Sequence, residues 1–210
     1  MSKVVYRVMV IAGAACIVAA VVLFAYNHID EFLAGRRSDK LIEHLRISEP
    51  DVLPPVAEEV YSLDETETAI FTPGQATVTA VTYNGLEFNV IGFLDIPKLN
   101  IMLPVIDRVS DELLKLSVCW YDGQKRPEPV RMILTAHNYR AHFGRINRLK
   151  MGDEVIFRAD NGTVYSYRVT GIEEINGDDQ EGLDRGDWDL TLLTCTRDRV
   201  RRILVRCVFK

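Results

Sequence analysis

The chain has 210 residues, 48% of them hydrophobic, which suffices for one domain with its own core plus an extension. A formal charge of −5 provides no basic face for a nucleic acid, so that class of partner is set aside. The four cysteines, Cys16, Cys119, Cys195 and Cys207, form neither a C-x-x-C pair nor a zinc-ligand spacing, which disfavours redox and structural-zinc roles.

Residues 8–26 contain no charged side chain. At helical rise that run reaches about 28 Å, close to the hydrocarbon thickness of a bilayer. Lys3 and Arg7 precede it, and His28, Asp30 and Glu31 follow it. The positive-inside bias then predicts a cytoplasmic N-terminus and an extracytoplasmic remainder. A cleaved signal peptide competes with this assignment, but the run is long and its exit lacks a small-x-small site. The segments predicted are an anchor over 1–28, a connector over 29–85 and a catalytic domain over 86–210.

Within the connector, Phe32, Leu33, Leu41, Ile42 and Leu45 recur at helical spacing, predicting an amphipathic helix over 29–45. Residues 49–75, with four prolines and many Glu and Thr, read as an extended stalk. From Leu86 the pattern changes to short apolar runs. Strands are expected over 88–96 and 99–106, split by Pro97 and Lys98, with a helical turn or two over 111–116 and a loop over 123–129. A buried strand over 130–135 and a short helix over 143–149 come next. A hairpin is expected over 154–159 and 163–172, turned by Asp160-Asn161-Gly162. A long acidic loop over 176–187 leads to strands over 190–194 and 203–209. Many short strands with few helices predict a mainly β fold, a barrel or a sandwich.

The chemistry gathers at strand ends. With Cys16 in the apolar span, three cysteines remain outside it, an odd number that leaves at least one thiol unpaired. The bland alternative is three small buried side chains. Cys195 ends an apolar run, His137 follows another, and Arg202 opens a third. An ordinary thiol, with a pKa of about 8.5, is only slightly ionised at neutral pH and needs a neighbouring base or cation. His137 can act as that base and protonate a leaving amine, and Arg202 suits an oxyanion because it stays charged. Thr194 offers a hydroxyl and a backbone N–H beside the thiol as a substrate-binding group. Arg201 is the alternative to Arg202 if the register shifts by one residue, and the whole arginine run can equally be a solvated charge cluster. A metal site on His137 and His142 lacks a third ligand at sensible spacing. No metal or cofactor is expected.

Thr191-Leu192-Leu193-Thr194-Cys195 matches in full the T-L-x-T-C nucleophile motif of the sortases, cysteine transpeptidases of Gram-positive cell surfaces. Arg202 to Arg206 resembles that family's R-hydrophobic-hydrophobic-V-R strand. Thr135-Ala136-His137-Asn138, followed by Phe143, Leu149 and Gly152-Asp153-Glu154-Val155, resembles its histidine segment, with Ala136 where glycine is commoner. Gly92 to Leu99 and Leu103-Pro104-Val105 resemble its opening strands, so the likeness runs from about Leu86 to Lys210. It implies a closed sortase-type β-barrel with short helices, held at the cell membrane by a single N-terminal span. It also implies cleavage of a C-terminal sorting signal similar to L-P-x-T-G on secreted proteins. Cys195 would be the nucleophile, His137 the general acid and base, Arg202 the oxyanion stabiliser, and Thr194 an assistant. The acceptor implied is an amine of a peptidoglycan precursor or of another surface protein. Pilin-polymerising members usually carry a second span after the last strand, which is not expected where the sequence stops at Lys210. A thiol hydrolase using the same residues, and a membrane-tethered binding protein with a dead site, remain as alternatives. Cys119, beside Trp120 and Tyr121, is expected to be structural, and its proximity to Cys207 is left open.

Overall fold

The computed structural model describes residues 3–48, 79–121 and 131–210. The stalk expected over 49–75 and the loop expected over 123–129 lie outside these residues. Among them, a long helix and nine strands dominate.

Helix α1 (Lys3–Ser48) runs unbroken for 46 residues. It includes Arg7–Ala25, a stretch with mean hydropathy 2.9 that is long and apolar enough to cross a membrane. The helix expected over 29–45 is the second half of this element, and its buried stripe differs from the one expected. Phe32 and Leu33 face solvent, whereas Ala34, Ser38, Leu41 and Leu45 are buried against the rest of the fold. Phe32 finds its cover locally, under the Arg36 guanidinium at 4.7 Å. The spacing of 34, 38, 41 and 45 is one helical face. A serine in that stripe hides it from a count of apolar residues.

The strands are β1 (Thr79–Tyr83), β2 (Leu86–Ile96), β3 (Ile101–Ile106), β4 (Val118–Trp120), β5 (Met132–Thr135), β6 (Glu154–Ala159), β7 (Val164–Asn176), β8 (Leu190–Cys195) and β9 (Arg201–Phe209). They form one sheet in the order β1-β2-β3-β4-β5-β8-β9-β7-β6, and β2 also pairs with β6. That extra pairing closes a ring of eight strands, with β1 attached outside it, so the expected barrel is observed.

β2 makes closure possible because one of its edges serves two partners. Its first residues, from Leu86 to Val90, pair with β1, and its later residues, from Gly92 to Asp95, pair with β6. A bulge between Val90 and Gly92 marks the handover. Gly92 sits there at φ +147, and a Cβ at that position would lie 2.2 Å from the Arg158 carbonyl oxygen. Only glycine lets β6 come that close.

The barrel interior is filled by Leu94, Leu103, Val105, Trp120, Leu134, Phe157, Tyr167, Leu192 and Val205, among others. Two further clusters lie outside the ring. One joins Leu41 and Leu45 of α1 to Val81, Phe88, Phe93, Ile106 and Leu113, the last in α2 (Asp111–Leu114). The other joins Ile133, Ile175, Leu193 and Leu204 to Leu183 and Trp188. Leu183 belongs to α3 (Gln180–Asp184), a short helix inside the stretch expected to be only loop. The expected helix over 143–149 is reduced to turns and a single 3-10 turn at Ile146–Arg148.

Candidate active site

Three strand ends meet at one rim for a topological reason. β5 and β8 are parallel neighbours, so both finish at the same edge of the barrel. β9 is antiparallel to β8 and therefore starts where β8 stops. The rim thus collects the last residue of β8, the residues just after β5 and the first residues of β9.

Cys195 is that last residue of β8, and it is exposed. Its partner directly across the β8–β9 ladder is Arg202. Residues opposed in an antiparallel pair project from the same face, so the guanidinium stem and the thiol leave the sheet on one side. On the other flank, Thr135 aligns with Leu193, and the Ala136 N–H continues the ladder to the Leu193 carbonyl at 3.2 Å. His137 is two residues past Thr135, as Cys195 is two past Leu193. The thiol therefore stands between the histidine and arginine strands. Leu193 and Leu204, of the same strand parity as Cys195 and Arg202, belong to the outer apolar cluster with Trp188.

A short connection at residues 196–200 locks this register. The Thr196 N–H donates to the Arg201 carbonyl (2.8 Å), and the Thr196 hydroxyl accepts from the Arg201 N–H (3.1 Å). Asp198 accepts from the Thr196 hydroxyl and from the Val200 N–H, and these bonds hold its carboxyl below the usual range. Arg201, the alternative to Arg202, instead pairs with Glu174 on β7 at 2.7 Å, half exposed. A one-residue slip would break both arrangements.

Thr194, the residue before Cys195, turns its side chain inward. Its hydroxyl is buried and donates to the Ala136 carbonyl at 2.8 Å, which ties β8 to the residue preceding His137. The hydroxyl thus braces two strands, on the strand parity opposite to Cys195.

The other cysteines outside the apolar span are unlike Cys195. Cys119 and Cys207 are both free and buried, in separate clusters, so they form no bridge. Burial pushes each thiol up to about 12. Among the described residues, no group of three His, Cys, Asp or Glu side chains stands close enough to hold a metal ion. His142 is fully buried, with Nε2 against Ser38 Oγ at 2.8 Å. Neither that contact nor the role of Arg206 is foreseeable from spacing. Arg206 is the far arginine of the last-strand motif, and it lies buried under the α3 segment. There it donates to the Leu183 and Gly182 carbonyls, to Thr191 Oγ1 and to Glu173.

The family model for the sortase domain matches residues 94–210, more than half of the chain. The chain belongs to the sortase family. This sortase is 26% identical over 203 residues to Sortase A of Staphylococcus aureus (strain NCTC 8325 / PS 47), an alignment covering 93% of this chain and 89% of that protein. It is 31% identical over 122 residues to Sortase A of Bacillus anthracis, covering 55% of this chain and 58% of that relative, less than two thirds of its length. Among solved structures it resembles sortase C from Clostridium perfringens SM101, with a TM-score of 0.51 and 31% identity over 58% of this chain and 70% of that one. A second sortase C structure from Clostridium perfringens, described as carrying the C-terminal cell wall sorting motif, matches equally well. A lid mutant of Sortase A from Corynebacterium diphtheriae, at 23% identity and a TM-score of 0.53, shares the fold.

Proposed function

We propose that this sortase is a membrane-anchored cysteine transpeptidase that cleaves an L-P-x-T-G-like C-terminal sorting signal on secreted proteins and passes the acyl group to an amine. In this reading, 1–28 is the anchor, 29–85 the connector and 86–210 the catalytic domain. The observation that carries it is the rim register: an exposed thiol with Arg202 directly opposite and His137 on the parallel flank.

The steps follow from what each group does. The Cys195 thiol passes its proton to His137, and the sulfur attacks the carbonyl carbon of the threonine at the scissile bond. The carbonyl oxygen becomes an oxyanion, and Arg202, permanently charged, donates hydrogen bonds to it. His137 gives a proton to the departing amine as the C–N bond breaks, leaving a thioester on Cys195. An amine from a peptidoglycan precursor or another surface protein then attacks the thioester, loses a proton to His137 and releases the thiol. The 19-residue apolar stretch of α1 suits a single membrane span with the barrel outside.

Mass spectrometry of the full chain after incubation with sorting-signal peptides tests this directly. The expected result is an acyl adduct on Cys195 that is absent in Cys195→Ala and is resolved by added triglycine into a ligated product. Release to water alone, even with amine present, would make the protein a thiol hydrolase. An absence of any adduct across the peptide set would overturn the enzymatic function.

A further inference from the structure

The loop that follows His137 is gripped from outside the barrel by helix α1. Glu31 Oε1 accepts the Arg140 N–H at 3.2 Å. Gly35 runs so close to the loop that a Cβ there would lie 3.3 Å from Ala141 Cβ. Ser38 Oγ lies 2.8 Å from His142 Nε2 and 2.6 Å from the Leu116 carbonyl. Residues 31, 35 and 38 occupy one helical face, so successive turns of α1 engage successive loop residues.

The proton count at Ser38 fixes the state of His142. Leu116 contributes a carbonyl, which only accepts, so the serine proton points there. His142 Nε2 must then be the donor to Oγ, and its Nδ1 carries the lone pair. That Nδ1 is buried and meets no hydrogen-bond partner. A second proton would be a buried charge without an acceptor. Burial, and after it the neighbouring His137, push this imidazole down to about 4. His142 is thus a neutral pin joining the loop to α1, and the same serine joins both to the segment between α2 and β4.

The pin connects to His137 through a compact turn. The Tyr139 carbonyl accepts from the His142 and Gly144 N–H groups (2.9 and 2.8 Å), and the His137 carbonyl accepts from the Phe143 N–H (3.2 Å). The Tyr139 ring contacts both imidazoles, its centre 5.0 Å from that of His137 and 5.6 Å from that of His142. A shift of His142 is therefore a shift of the whole turn.

We propose that Ser38 and His142 are positioning residues, which hold the His137 ring on the Cys195 side of the rim and make helix α1 part of the scaffold of the active site. Their role presupposes the transpeptidase chemistry above, because it acts through His137. A loop held only by its own turn would let the imidazole wander by an ångström or so, enough to cost rate without costing substrate affinity.

The test uses the full chain in detergent micelles with a fluorogenic sorting-signal peptide. Ser38→Ala and His142→Phe are expected to lower kcat about tenfold or more while KM stays within about twofold. Ser38→Thr, which keeps the hydroxyl, and His142→Gln, which keeps a donor at the ε position, are expected to recover most of the loss. Unchanged kcat in the first two variants, with near-ultraviolet circular dichroism confirming the native fold, would overturn the proposal. A loss that the conservative variants do not rescue would overturn it too. A second measurement needs no peptide. The rate of Cys195 alkylation by iodoacetamide against pH, read site by site in the mass spectrometer, reports thiol–imidazole coupling. The wild-type profile is expected to change in His137→Ala, and Ser38→Ala and His142→Phe are expected to shift it in the same sense. If the wild type forms no acyl adduct, the transpeptidase reading fails, and this profile alone decides the positioning role. A shift upholds it, and superimposable profiles reject it.

Discussion

Two arginines on β9 have unlike surroundings. Arg202 stands opposite Cys195 at the open rim, whereas Arg206 is 7% exposed, donates to four groups and lies 5.0 Å from the Trp188 ring centre. Arg202→Ala is expected to slow acyl-enzyme formation by about 10²–10³-fold, the usual cost of an oxyanion donor, with little change in unfolding midpoint. Arg206→Ala should instead destabilise the fold by about 3 kcal/mol, because carbonyls of Gly182 and Leu183 and the Thr191 hydroxyl lose their donor. Stopped-flow kinetics and urea denaturation on both variants separate the two roles. The motif that contains them is legible in sequence, but the division of labour is not, since it depends on which strand end each one reaches. Ser38 is less legible still: its imidazole partner is 104 positions away. His142 also makes stability depend on pH. Its folded pKa, about 4, is below the unfolded value of 6.5, so the unfolded chain binds the extra proton between those limits. Stability should fall as pH drops from about 6.5 towards 4, by on the order of 3 kcal/mol, and level off below. Burial raises the Asp95 carboxyl and works in the opposite sense, so the measurement is the difference between wild type and His142→Gln in urea melts at pH 7 and 4.5.

Among the elements, those with strong local signals were the readable ones. β8 and the centre of β9 are apolar, and the β6–β7 hairpin has its Asn161-Gly162 turn. β7 runs on to Asn176 because its polar end pairs with β9, and Glu174 there finds Arg201. A charged strand stabilised by its neighbour has no period of its own to read. α3 escaped notice for a similar reason, being one capped turn held by Arg206 and Trp188 rather than by helix propensity. Gly92 is another position whose importance appears only after pairing is known. Gly92→Ala would press a methyl against the Arg158 carbonyl and Ala159 Cα, at 2.2 and 2.9 Å in the present geometry, with φ in a region that L residues avoid. A loss of about 3 kcal/mol or more is expected in chemical denaturation, with opening of the β2–β6 seam visible as faster amide exchange in β6.

At the scale of the molecule, the sequence suggested a tether with a barrel at its end, and the described residues place the barrel against the helix itself. Glu31 already touches the loop beside the rim, only six residues past Ala25, the last residue of the apolar stretch. His44, thirteen residues further along, reaches Tyr83 at 5.4 Å between ring centres. With a rise of 1.5 Å per residue these contacts lie about 9 Å and 28 Å beyond the apolar stretch along the helix axis. A fluorophore at Arg140→Cys, in a Cys195→Ala background in vesicles, should therefore be quenched by headgroup nitroxides more strongly than one at Thr82→Cys. Equal quenching would mean that the barrel hangs free of its anchor. Such a gap cannot be read from the amino acids, because nothing local in residues 29–45 says whether a helix stands alone or is leaned upon.

The unbroken course of α1 has a consequence for encounter. In the membrane-anchored reading proposed above, a catalyst fused to its own mast keeps a near-constant altitude while it spins and drifts. Rotation about a helix axis set along the membrane normal carries the sulfur of Cys195 around a circle parallel to the lipid plane. Reactants that are themselves embedded in that plane are then met by a search in two dimensions, at a height set by turns of helix rather than by the wandering of a loose cord.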